Sequence, residues 1–161
     1  MIESWHRKTG VALMLAALAL GLVSARGAEV VPGPVEATVT AVIDGDTLAV
    51  RARVWLGQEV TIRVRLAGVD APELAGRCPD ERARALAARA FLADRVGDGR
   101  VLLQDIRYGK FAGRVVARVV DPQGRDLGRA LLEAGLARAY GGGRRRPWCP
   151  RETVSSGADR P

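Results

Sequence analysis

One histidine and two cysteines are all that a chain of 161 residues offers for soft-metal or thiol chemistry. The histidine, His6, falls in an N-terminal stretch that reads as a leader. Once that is removed, catalytic triads and histidine-ligated zinc are excluded. Cys78 and Cys149 are too few for a zinc site of their own. Internal repeats and heptads are absent, which excludes solenoids and coiled coils. The apolar run Gly10–Val23, which carries no charge, falls short of the roughly 20 apolar residues that a membrane span needs.

That run is preceded by His6, Arg7 and Lys8 and followed by the small residues Ser24 and Ala25. The pattern predicts a secretory signal over residues 1–25, with an uncleaved membrane anchor as the alternative. A cleaved signal implies a periplasmic or secreted protein. Its loss removes Arg7, Lys8 and Glu3, so the net charge falls only from +7 to +6. In an oxidising compartment the even pair Cys78 and Cys149 is expected to form one disulfide, fastening the C-terminal tail near the loop that follows Glu73. Two free thiols are the other reading.

Lys and Arg total 25 against 18 Asp and Glu, and most of the basic residues are arginine. The planar guanidinium fork fits phosphate better than the point charge of lysine does, so a polyanionic partner is expected. An arginine-rich coding bias that makes every surface basic is the bland reading of the same numbers.

The length implies one domain plus extensions. Val31-Pro32-Gly33-Pro34 marks residues 26–35 as an extended linker. Alternating β-branched runs predict strands over Val35–Ile43, Thr47–Leu56 and Val60–Val69, with Asp44-Gly45 as a hairpin turn in which glycine supplies positive φ. In the third strand Arg63 and Arg65 share the polar face, so only one of them need touch a ligand. Asp80–Val96 reads as a helix whose buried stripe is Ala83, Leu86, Ala87 and Ala90, stopped by Gly97. Strands are expected over Arg100–Arg107 and Phe111–Val120, and a second helix over Leu127–Leu136. The domain then spans residues 36–140, and residues 141–161 form a flexible basic tail of which Trp148-Cys149 docks back. Five strands with a helix after the third and another after the fifth predict a mainly β, α+β fold: an OB-type five-stranded Greek-key barrel with two or three helices.

Two short stretches carry the chemistry. Asp46 lies in the first acidic turn, and Arg65, Asp70 and Glu73 in the second. A hard divalent cation wants oxygen ligands, an anionic substrate wants a guanidinium, and an attacking water wants a carboxylate base. Together these residues point to metal-assisted attack on a phosphodiester. Asp44 is expected to serve turn geometry and the local field.

The blocks Val42-Ile43-Asp44-Gly45-Asp46-Thr47, Arg65-Leu66-Ala67-Gly68-Val69-Asp70-Ala71-Pro72-Glu73, Gly113-Arg114-Val115-Val116-Ala117 and Gly135-Leu136-Ala137 resemble, in order and spacing, the thermonuclease family of staphylococcal nuclease-like domains. The resemblance covers roughly residues 36–140. It implies an OB barrel that hydrolyses DNA and RNA with Ca2+ and leaves 3′-phosphate ends. Carried over by position, it implies Asp46, Asp70 and the Ala71 carbonyl as calcium ligands, Glu73 as the general base or water-positioning carboxylate, and Arg65 and Arg114 on the scissile phosphate.

The chain departs from the family where many relatives have a tyrosine two residues before the second arginine; Ala112 stands there. Tyr108 is a candidate substitute, stacking on a base or bonding a terminal phosphate, or else a plain strand-end tyrosine. Lys110 and Tyr140 are candidate contacts to phosphate and base. The leading expectation is a monomeric exported endonuclease acting on DNA and RNA without a stable protein partner. Its rival is a nucleic-acid-binding OB module whose catalysis has lapsed.

Overall fold

The computed structural model describes residues 29–149. The expected leader over residues 1–25 and the end of the tail lie outside them. Within the stretch expected as a linker, Val30–Val31 forms a two-residue strand, β1. Strands β2 (Val35–Asp44), β3 (Thr47–Trp55) and β4 (Gln58–Leu66) follow as an antiparallel meander. After a two-residue strand β5 (Val69–Asp70) comes helix α1 (Pro79–Val96). Strands β6 (Arg100–Tyr108) and β7 (Arg114–Val120), helix α2 (Leu127–Glu133) and the short strand β8 (Arg138–Ala139) complete the chain.

The sheet runs β1-β6-β2-β3-β4-β7, and β6 pairs again with β7. That last pairing closes β2, β3, β4, β7 and β6 into a five-stranded barrel, with β1 continuing the edge of β6 beyond β2. All ladders are antiparallel except β4 with β7. The result is the expected OB-type α+β fold, with two helices. Gly33 lets the chain pass from β1 to β2 along β6: its φ is +76°, and a Cβ there would sit 2.3 Å from the Leu103 carbonyl oxygen. The core is aliphatic, with Leu48, Val50, Val64, Leu66, Leu92, Leu103 and Leu131 all but sealed from solvent.

The β4 expectation ran three residues too far. Gly68, with φ +76°, breaks the strand after Leu66, and the chain restarts as β5. β7 begins three residues later than expected, after a turn through Gly113 at φ +72°. The second helix ends at Glu133 rather than Leu136, because Gly135 at φ +68° turns the chain and its N–H bonds Leu132.

The stripe expected to bury α1 is wrong. Ala83, Leu86, Ala87 and Ala90 are exposed, and the buried face is Glu81, Ala85, Ala88, Leu92 and Val96. Alanines on every side of this helix leave its sequence with little contrast between faces. Close approach decides the matter: Ala88 packs onto the Asp44–Asp46 turn, where a Cβ on Gly45 would lie 2.6 Å from the Ala88 Cβ and 2.9 Å from that of Ala71. Gly45 therefore serves contact rather than positive φ, which it does not adopt. No helix among the described residues is long and apolar enough to cross a membrane.

Candidate active site

The β2–β3 turn and the break after β4 bring the two acidic stretches together. At the turn, Asp44 Oδ1 accepts the Asp46 N–H at 3.0 Å, so Asp44 shapes the loop as expected. Asp46 is 2 % exposed. Its Oδ1 accepts from Arg65 Nη1 at 2.5 Å and from the Thr47 hydroxyl at 3.1 Å, and its Oδ2 accepts the Ala71 N–H at 2.8 Å. Arg65 stands on β4 directly across from Thr47. The other end of its guanidinium donates from Nη2 to Asp70 Oδ1 and to the Val69 carbonyl, each at 3.2 Å. One buried fork thus spans two carboxylates from separate segments.

Arg63 and Arg65, two apart on β4, share one face of the strand, and what covers that face separates them. Arg65 is buried under β5 and the following loop, whereas Arg63 is exposed. The short β5–β8 ladder pairs Asp70 with Arg138 and fixes the backbone of the second acidic stretch against the C-terminal segment. Burial pushes the Asp46 carboxyl up to about 6, against the opposing pull of Arg65 and of the Ala71 N–H.

Glu73 lies exposed at the rim and shares Arg145 with Asp70. Arg145 Nε sits 2.8 Å from Asp70 Oδ1, and its Nη1 bonds Glu73 Oε1. Burial pulls the arginine's pKa down, but the bonds to Glu73 and Asp70 outweigh it and hold the side chain more firmly protonated than usual. Arg145 was absent from the residues that the sequence singled out. The signal was present: a Cys78–Cys149 bridge carries the residues just before Cys149 to the loop after Glu73.

The bridge is formed, with Cα atoms 5.9 Å apart. Beside it Glu81, 7 % exposed, accepts the Arg77 N–H at 3.0 Å and supports the loop from below. Glu81 and the two sulfurs cluster closely, but disulfide sulfurs are not thiolate ligands. Loop 73–78 and residues 144–149 wall a cleft of about 1180 Å³ that opens at Asp70 and Glu73.

The second expected phosphate ligand, Arg114, starts β7 beside Arg63 in the parallel ladder. It makes no ion pair with Asp46, Asp70 or Glu73 among the described residues. Instead its guanidinium lies 4.7 Å from the centre of the Phe111 ring, and its buried Nε has no protein partner. Tyr108 is 79 % exposed at the end of β6, and Lys110 is exposed in the next turn. Tyr140 follows β8 half-buried, its N–H on the Gly68 carbonyl and its hydroxyl donating to the Gly143 carbonyl at 2.7 Å.

The donor set fits a hard divalent cation in type and charge: Asp46 and Asp70 are buried carboxylates, and two guanidiniums now stand against them. Ala71 contributes through its N–H in this arrangement. Residues 63–149, more than half of the chain, match the family described as staphylococcal nuclease homologue. The matched segment takes in Arg65, Asp70, Glu73, Arg114 and Arg145, while the Asp46 turn lies before it and is brought in by the barrel. No curated protein matches the chain.

Proposed function

The chain belongs to the staphylococcal nuclease homologue family, and on that premise we propose that it is an exported, calcium-dependent endonuclease that hydrolyses phosphodiester bonds of DNA and RNA. The observation that carries this reading is the pair of buried carboxylates, Asp46 and Asp70, held by one arginine, with Asp70 opening onto the cleft. Acids in a phosphate groove weaken binding and have a chemical purpose only where a cation or a proton transfer needs them.

In this reading Asp46, Asp70 and the Ala71 carbonyl hold the cation. When bound, calcium polarises a phosphoryl oxygen and offsets charge in the transition state. Glu73, exposed at the rim, accepts the proton of the attacking water. Arg65 and Arg114 bear on the phosphate, and the unpartnered Nε of Arg114 is suited to an anionic oxygen. Water adds at phosphorus and the bond to the 5′-oxygen breaks, leaving a 3′-phosphate and a 5′-hydroxyl that takes up a proton.

A second reading has one observation in its favour. Arg65 and Arg145 already neutralise the acids internally, as a binding module without a metal would require. Incubating the purified chain with DNA and with RNA, in calcium and then in chelator, separates the two. Cutting that stops in chelator, leaves 3′-phosphates and slows sharply in Glu73→Gln with affinity for nucleic acid retained is the expected result. Binding without cutting in calcium would favour the lapsed module, and cutting in chelator would overturn calcium dependence. Recovery of the protein only in the cytoplasmic fraction would overturn export.

A further inference from the structure

Residues 140–149 form a strap fixed at both ends. At one end the Tyr140 N–H bonds Gly68. At the other, the disulfide ties Cys149 to Cys78, and Arg138 holds Pro147 and Trp148, donating to the Pro147 carbonyl at 3.0 Å and stacking 3.6 Å from the Trp148 ring centre. Arg145 lies midway along the strap. It is the one member of the Arg144–Arg146 run that reaches the acids.

The two guanidiniums at the acids differ in what they leave free. Arg65 is 8 % exposed, with Asp46, Asp70 and Val69 as acceptors. Arg145 keeps 40 % of its side chain open to the cleft, and its second terminal nitrogen has no protein partner among the described residues. A divalent cation taken up by Asp70 would cost Arg145 one of its two carboxylate partners and repel it. The strap keeps it within reach, and the nearest new anion is the phosphodiester drawn to that same cation.

We propose that Arg145 is a third phosphate-binding guanidinium of this site, parked on Asp70 and Glu73 by the disulfide-fastened strap until a cation and a nucleic-acid phosphate replace those partners. This rests on the calcium-dependent nuclease reading. Because one side chain is bound to the cation's ligands in one state and to substrate in the other, removing it shifts two affinities in opposite directions.

The test uses the whole mature chain, unreduced, as wild type and as Arg145→Ala, Arg145→Lys, Arg144→Ala and Arg146→Ala. Calcium affinity is measured by calorimetry without nucleic acid. Affinity for a cleavage-resistant phosphorothioate single-stranded oligonucleotide is measured by fluorescence anisotropy at saturating calcium. Arg145→Ala should bind calcium several-fold more tightly and the oligonucleotide about tenfold more weakly, the order expected for one lost charge-assisted contact. Arg145→Lys should restore the calcium value but only part of the oligonucleotide affinity, because the fork is gone. Arg144→Ala and Arg146→Ala lose the same charge without touching the acids and should change neither by more than about twofold. Tighter calcium with unchanged oligonucleotide binding would reduce Arg145 to a counter-ion and overturn the proposal, as would equal effects from all three alanine variants. A wild-type chain that takes up no calcium would overturn the nuclease reading and this inference with it.

Discussion

Arg65 reaches from β4 to Asp46 in the β2–β3 turn, and their side chains close at 2.5 Å where neither is more than a tenth exposed. Such a pair stabilises less than its geometry implies, because both charges have left water, yet removing one partner strands the other.

Arg65→Ala is accordingly expected to lower stability by about 3–5 kcal/mol, since Asp46 is left buried without its counter-charge. Asp46→Asn should cost less, and the double variant should recover part of the Arg65→Ala loss. Urea unfolding of the four proteins measures this, and strict additivity would show that the pair is not an energetic unit. Any loss of cutting in Arg65→Ala has to be read beside that measurement.

The raised pKa of Asp46 sets a second expectation. Its folded value of about 6 exceeds the ordinary 3.8, so the folded, cation-free chain binds more protons than the unfolded chain between those values. The Asp46 contribution to stability is therefore present at low pH and lost as the pH rises through about 6. Calcium needs the ionised form, so its apparent affinity should weaken about tenfold for each pH unit below that point. Thermal melts and calcium titrations at pH 5 and pH 7.5, compared with Asp46→Asn, isolate the effect. A wild-type slope no different from that of the variant would refute it.

The barrel was legible because its cause is local. Period-two alternation and Asp-Gly, Gly and Pro punctuation place β2, β3, β4 and β6 to within a few residues, but alternation puts Arg63 and Arg65 on one face and leaves open which of them is covered. What escaped depends on contacts between distant segments. Nothing local to α1 tells that Ala88 rather than Ala87 must meet Gly45, and nothing local to Gly141–Arg146 tells that the fifth residue after Tyr140 reaches Asp70. Glu81 falls in the first turn of α1, where an acid is ordinary. Its burial under the Arg77 N–H follows only once the disulfide loop is closed.

Gly45 gives the most direct check of how helix and site are coupled. With backbone φ unremarkable and the Ala88 Cβ in the way, Gly45→Ala is expected to destabilise by about 1–3 kcal/mol through overpacking and to displace the Asp46 turn. Calcium affinity should fall with it. Gly45→Ala combined with Ala88→Gly should regain part of the calcium affinity, because the nearer clash is relieved while the 2.9 Å approach to the Ala71 Cβ stays, and even though a glycine inside α1 is itself unfavourable by about 1 kcal/mol. No recovery in the double variant would mean that this contact does not position the turn.

The disulfide closes a loop across a sequence separation of 71 residues. In the chain-entropy model a loop of that size stabilises by about 4 kcal/mol, so reduction should lower the melting temperature markedly. The acids of the candidate site lie on β5, in the loop that follows it and, for Asp46, at the far turn, and neither Asp46 nor Asp70 is held by the bridge itself. Activity at low temperature should therefore persist after reduction, while the grip of Arg145 on Asp70 and Glu73 slackens. Cys78→Ser with Cys149→Ser should behave as the reduced protein does. Thiol titration of the unreduced, denatured chain tests the premise: it should find no free cysteine, and two would refute the bridge.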